Sequence, residues 1–161
     1  MLIPEERQRR IAIIREFPQR LTELVQDLSD VDLNTEYLPG EWTVRQIIHH
    51  LPESHMNSFI RLKLILTEDH PLIKPYDQAA WAELADVKLA PILASLTLLT
   101  GLHERWAILF ECLTDEQRLR TGYHPENGDM TPDDLLVVYS DHCDVHVEQI
   151  TRTLAAAPAR T

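Results

Sequence analysis

Apolar residues recur along this chain every three or four positions, the repeat of one helix face. Ile11, Ile14, Phe17, Leu21, Leu24, Val25 and Leu28 trace one stripe. Leu93, Leu96, Leu99, Leu102, Trp106 and Phe110 trace another. The strand signature, an alternation rich in Val, Ile and Thr, is scarce, and four glycines are few for 161 residues. The pattern predicts four long helices: Glu5 to about Leu28, Thr43 to about Leu66, Pro91 to about Cys112, and a last one opened by Thr131.

Local signals set the ends. Thr43 with Gln46, and Thr114 with Gln117, have the spacing of capping boxes. Thr131, Pro132, Asp133 and Asp134 supply an N-cap, a first-turn proline and two acids that favour the positive end of the helix dipole. Pro91 suits the first turn of the third long helix. Pro18 predicts a kink or break in the first helix, and Pro52 a bend in the second, close to His50. Ser29 to Asp32 reads as a short helical turn, and Asp77 as the cap of a short helix through Leu84. Residues 70–75 and 122–130 read as loops. With no internal repeat and no linker, this is an all-α chain, a four-helix bundle with short extra helices, forming a single domain over residues 1–161.

Composition narrows the function. Hydrophobic residues make up 44% and charged residues 25%, and no apolar run reaches the roughly 20 residues that span a bilayer. The N-terminus lacks the order of a signal peptide, which makes a cytoplasmic protein the expectation. Cys112 and Cys143 form no Cys-x-x-Cys pair, which argues against a disulfide framework. The net charge of −11 and the absence of a basic block argue against nucleic acid as a partner.

The chemistry-bearing stretch is Asp141-His142-Cys143-Asp144-Val145-His146. On a helix, His142 and His146 stand one turn apart on one face. Leu135, Tyr139, Gln149, Ile150 and Thr153 fall within about a quarter-turn of His142, so both rings point inward. Buried neutral histidines need hydrogen-bond partners. Helix geometry alone leaves metal ligand and structural histidine both open. On the second helix, His50 heads a polar line with Glu53, Ser54, Asn57 and Arg61, a mixed-charge row suited to a cleft. His49 and His55 point away from it. His103 and His124 read as surface or loop hydrogen-bonders, and Trp42, Trp81 and Trp106 as packing residues.

The run Pro39-Gly40-Glu41-Trp42-Thr43-Val44-Arg45-Gln46-Ile47-Ile48-His49-His50-Leu51 resembles the signature of the DinB/YfiT-like superfamily. Glu53 to Leu64, Lys74-Pro75-Tyr76-Asp77, Trp81-Ala82-Glu83-Leu84, Leu102-His103-Glu104-Arg105-Trp106, Tyr123-His124-Pro125 and Tyr139-Ser140-Asp141-His142 are similar to its YfiT branch. The resemblance implies a four-helix bundle holding one divalent metal through His50, His142 and His146. It implies an enzyme, a metal-dependent hydrolase or a transferase that passes a thiol such as bacillithiol to electrophiles, and a homodimer. The chain departs from the branch at Pro52 and at Asp144, Val145 and Gln149, where the branch carries other residues.

Three histidines leave an open coordination position, as catalytic zinc sites do. Imidazole also suits nickel, iron and copper; zinc is the first expectation and nickel the second. For a hydrolase, Glu53 or Asp141 is the candidate base. For a thiol transferase, which the Arg61 line favours, Arg61, Asn57 and Tyr76 would anchor the cofactor, and Glu53, Asn57 and Arg61 would form the catalytic row. A non-catalytic bundle stapled by its metal is the third reading, but structural sites normally have four protein ligands. Cys143 lies roughly 100° round the helix from His142, so it reads as a core filler rather than a fourth ligand.

Overall fold

A computed structural model describes residues 2–158. Four long helices dominate: α1 (Pro4–Val25), α3 (Val44–Thr67), α6 (Ile92–Glu111) and α8 (Pro132–Ala155). Shorter helices α2 (Asp30–Asn34), α4 (Gln78–Trp81), α5 (Ala85–Leu89) and α7 (Asp115–Arg118) decorate the connections. The main interfaces join α1 to α6, α6 to α3, α3 to α8 and α8 back to α1. The helices therefore form a ring in which α1 and α3 stand diagonally opposite. Their apolar stripes meet in one core around Phe17, Leu21, Ile47, Leu62, Trp106 and Phe110, each fully buried or nearly so. Each such side chain contributes roughly 1.5–3 kcal/mol through burial.

The caps are where the sequence puts them. Capping boxes close the starts of α3, α7 and α8, and Ser29 with Asp32 makes a further one at α2. Two boundaries differ from the sequence reading. Pro91 is the N-cap of α6, not its first helical residue. Asp77 caps α4 alone, and a separate helix, α5, begins after Leu84. Pro18 and Pro52 both lie inside their helices, and α1 and α3 run on past them without a break. Each removes one backbone donor, but both are buried, and packing against neighbouring helices holds the segment together.

Residues 122–130 form a hairpin rather than a loop. Strand β1 (Gly122–His124) pairs antiparallel with β2 (Gly128–Met130), with Gly122 opposite Met130 and His124 opposite Gly128. Gly128 takes a φ of +72° at the return, a region that glycine enters without strain. The amide of Ile73 donates to the Tyr123 carbonyl at 2.8 Å, and that of Tyr123 to the Pro71 carbonyl at 2.9 Å, so the hairpin is tied to the segment after α3. A three-residue strand is too short to show a period of two, and the segment that the hairpin is tied to lies some fifty residues upstream.

Ion pairs lace α1 to α8. Arg10 Nη1 meets Asp141 at 2.7 Å, Arg20 meets Asp144 at 2.9 Å, and Arg7 meets Asp133 at 3.0 Å. No helix among the described residues is long and apolar enough to cross a membrane.

Candidate metal centre

α3 and α8 lie side by side and bring His50 against His142 and His146. The i, i+4 spacing on α8 sets the two rings with centroids 4.2 Å apart. The His50 ring lies 5.5 Å from that of His142 and 5.2 Å from that of His146. One ligand atom from each of the three lies within 4.8 Å of the others, so the group could hold a single metal ion. The rings open onto a cleft of about 440 Å³ whose other walls include Glu41, Trp42, Gln78 and Gln149.

Outer contacts fix two of the rings. His142 Nδ1 lies 2.9 Å from His55 Nε2, and His146 Nδ1 lies 2.7 Å from Gln149 Oε1. The Nε2 atoms of His142 and His146 then face each other at 3.0 Å. With both Nδ1 atoms donating outward, two lone pairs point into the same space, and a shared cation relieves their repulsion. His50 adds a buried Nδ1 with no hydrogen-bond partner. An orphaned buried nitrogen and two opposed lone pairs are the donor set a borderline metal ion takes up.

Burial keeps these rings neutral. It pushes His50 down to about 4, helped by the neighbouring His146. Burial, then His146 and His50, hold His142 well below its ordinary value. Burial lowers His146 as well, against the hydrogen bond it donates to Gln149 Oε1, which raises it. Neutral imidazole is the ligating form.

Other residues of the sequence reading fall elsewhere. Asp141 pairs with Arg10 on the exposed flank of α8 and is no base for this cleft. Asn57 turns back to donate to the Glu53 carbonyl at 2.8 Å. Arg61 lies about three turns along α3 from His50 and donates to the Lys74 carbonyl at 2.6 Å, so it ties down the loop after α3 instead of facing the histidines. Tyr76 packs against Trp81 with ring centroids 4.5 Å apart and the planes tilted by 42°, and burial raises its hydroxyl above the ordinary value. Glu53 is half-buried, and burial, then Asp86, raise its carboxyl. Of the departures from the family pattern, Asp144 pairs with Arg20 and Val145 is exposed; Gln149 alone touches the site.

Three site residues were not singled out by the sequence reading. Trp42 is more than a packing residue, since its ring lies 4.9 Å from that of His50 and walls the cleft. His55 faces away from His50, as the wheel has it, but straight onto His142. His103 is fully buried rather than superficial, with Nε2 2.7 Å from His55 Nδ1. Its place on the apolar stripe of α6, among Leu99, Leu102 and Trp106, is the signal that it needed an internal partner. His124 is also buried, and its Nδ1 accepts from the Glu126 amide within the hairpin. Cys143 is a buried core filler whose thiol burial pushes far up, well away from ligating chemistry.

The sequence model of the DinB superfamily matches residues 13–150. The chain belongs to the DinB superfamily. It is 45% identical over 148 residues to the Bacillus subtilis protein named "Putative metal-dependent hydrolase YfiT", covering 91% of this chain and 83% of that one. A relative of the same description from Oceanobacillus iheyensis is 46% identical over 138 residues, 86% of this chain and 80% of its own length. The solved structure of Bacillus subtilis YfiT, described as a probable metal-dependent hydrolase with an unusual four-helix bundle topology, superposes with a TM-score of 0.91 at 44% identity. The match spans 95% of this chain and 88% of YfiT. Among DinB superfamily chains, then, this one shares a four-helix-bundle architecture with relatives named for metal-dependent hydrolysis, and it carries a cluster of three histidines able to take a metal.

Proposed function

We propose that this DinB superfamily protein is a metal-dependent hydrolase of a small molecule, with His50, His142 and His146 holding one divalent ion. The observation that carries this reading is the pair of facing Nε2 atoms, 3.0 Å apart, at the floor of an open cleft. A divalent ion bound there supplies Lewis acidity and lowers the pKa of water toward neutrality. The protein's own part is to hold the rings neutral and aimed. Gln149 and His55 fix the α8 histidines, and Trp42 covers one side of His50. Glu53, one turn along α3 from His50, is the candidate base: a half-buried carboxyl that burial, then Asp86, raise above its ordinary value and so make more basic.

Thiol transfer is the second reading. It rested on Arg61 as the anchor of an anionic thiol, and Arg61 is engaged with the Lys74 carbonyl away from the cleft walls. That removes its physical support and puts hydrolysis first.

The test is metal content and turnover measured together. Protein purified without chelator is assayed for its metal, then challenged with a panel of small esters and amides and, separately, with an electrophile plus bacillithiol. Metal-dependent cleavage that ignores added thiol supports the hydrolase. Metal-dependent loss of the electrophile only with thiol present reverses the order of the two readings. Full metal content in His142→Ala overturns the ligand assignment.

A further inference from the structure

A line of imidazoles runs from the cleft through the bundle to α1. His142 on α8 contacts His55 on α3, His55 Nδ1 lies 2.7 Å from His103 Nε2 on α6, and His103 Nδ1 lies 2.5 Å from the carbonyl oxygen of Ile14 on α1. His55 and His103 are both fully buried. Their rings stack with centroids 4.9 Å apart, and Phe17 lies 5.6 Å from the first and 5.5 Å from the second. The two rings thus have no surface of their own exposed to bulk water.

The direction of every hydrogen bond in the line follows from its far end. A backbone carbonyl only accepts, so His103 must carry its proton on Nδ1. As a neutral ring it then presents a bare Nε2, and His55 must donate to it from Nδ1. His55 in turn presents a bare Nε2, which takes a proton from His142 Nδ1. The Nε2 of His142 is left as a lone pair facing His146. Each ring has one workable tautomer, and a single fixed acceptor on α1 dictates all three.

We propose that His55 and His103 are positioning residues that lock His142 in its metal-ready tautomer, with the Ile14 carbonyl as the reference point. The inference rests on the metal reading of His142 and extends it through the packed core. A free imidazole in water prefers the opposite tautomer, with its proton on Nε2, and would have to exchange it before ligating through that atom. Here the exchange is made once, at folding. All four long helices then contribute to a centre whose ligands come from only two.

The test reads tautomers first and metal second. In metal-free wild-type protein, long-range proton–nitrogen spectra of the histidine rings at neutral pH report which nitrogen of His142 is protonated. The proton is expected on Nδ1 in His142, His55 and His103. A proton on Nε2 of His142 overturns the lock, even if metal still binds. A proton on Nδ1 in a protein that takes up no metal upholds the lock and overturns the metal reading, so the two failures are distinguishable. The variant arm uses His103→Leu, which removes the acceptor for His55 and lies two rings from the cleft. It is expected to give mixed tautomers at His142 and a roughly 10- to 100-fold loss of affinity in chelator competition. His103→Gln, which keeps an oxygen acceptor near the place of Nε2, is expected to restore most of that affinity. A folded His103→Leu protein with wild-type affinity overturns the proposal. If that variant does not fold, the wild-type spectrum alone decides.

Discussion

The Asp133 carboxylate at the first turn of α8 grips the Arg7 guanidinium of α1 through both its oxygens, at 3.0 and 3.2 Å. The Leu2 amide donates to the same carboxylate at 2.9 Å, and Arg118 Nη1 lies 3.6 Å away. The Asp133 and Arg118 side chains are only 5% and 7% exposed. Removing one partner of a buried pair strands the other's charge, at a cost of about 3–5 kcal/mol. Asp133→Ala is therefore expected to lower the melting temperature by roughly 10 °C or more in circular dichroism. A shift of under about 2 °C would mean that water replaces the carboxylate cheaply.

The same residue fixes one acid limit. Burial raises the Asp133 carboxyl, but the bonds from Arg7 and the Leu2 amide outweigh it, and the net pKa is lowered. A lowered carboxylate adds stability that is present above its unfolded pKa of about 3.9 and lost as the pH falls through the folded value. Wild type should lose this increment below about pH 4, and Asp133→Asn should not.

The histidines act earlier in an acid titration. Burial pushes His50 and His103 down to about 4 and His55 and His142 well below the ordinary value. Below about pH 6.5 the unfolded chain takes up protons that the folded, metal-free bundle refuses. Stability of the metal-free protein should therefore fall steadily from about pH 6.5 toward pH 4 in urea titrations. With metal bound, the ligands resist protonation further, and acid release of the metal should fall below the pH 6.5 that free imidazole would set. Metal loss centred at pH 6.5 or above would place its ligands elsewhere.

Gln149 is expected to matter out of proportion to its exposure. Gln149→Leu removes the acceptor that holds His146 Nδ1 and should reduce metal affinity about 10- to 100-fold while leaving helicity intact. Competition against a chromophoric chelator measures this. Unchanged affinity would show that His146 is oriented by packing alone.

Arg61→Ala provides the contrast. Its bond to the Lys74 carbonyl is exposed, so the loss in stability should stay at or below about 1 kcal/mol. Metal content should not change, nor should any thiol dependence appear or vanish. Thiol-dependent turnover abolished by this substitution would return Arg61 to the functional site.

The helices were legible because their evidence is local. A stripe such as Ile11 to Val25 and a box such as Thr43 with Gln46 lie within a few residues and owe nothing to the rest of the chain. The clustering of His50 with His142 was legible because both sit on inward stripes. What the sequence withheld depends on partners distant in the chain. The hairpin at 122–130 is tied to residues 71–73. His55 was placed on the correct side of α3, but the meaning of that side came only from α6 and α8. His103, 48 residues from His55, has no local signal beyond a polar ring among leucines. Asn57 and Arg61 share a helical face with His50, but they lie about two and three turns along it, bonded to the Glu53 and Lys74 carbonyls.

The ring order of the bundle also governs how fast it forms. Of the four main interfaces, only that between α3 and α6 joins long helices that follow one another in the chain, and even these are separated by residues 68–91. An up-and-down bundle zips from neighbouring hairpins. Here α1 waits for α6 and α8, so loops of many tens of residues must close before any reward arrives. Such non-local closures are expected to slow folding relative to bundles built from local hairpins. The rate-limiting step should be the docking of α1 onto α6 and α8, the same event that brings the Ile14 carbonyl to His103.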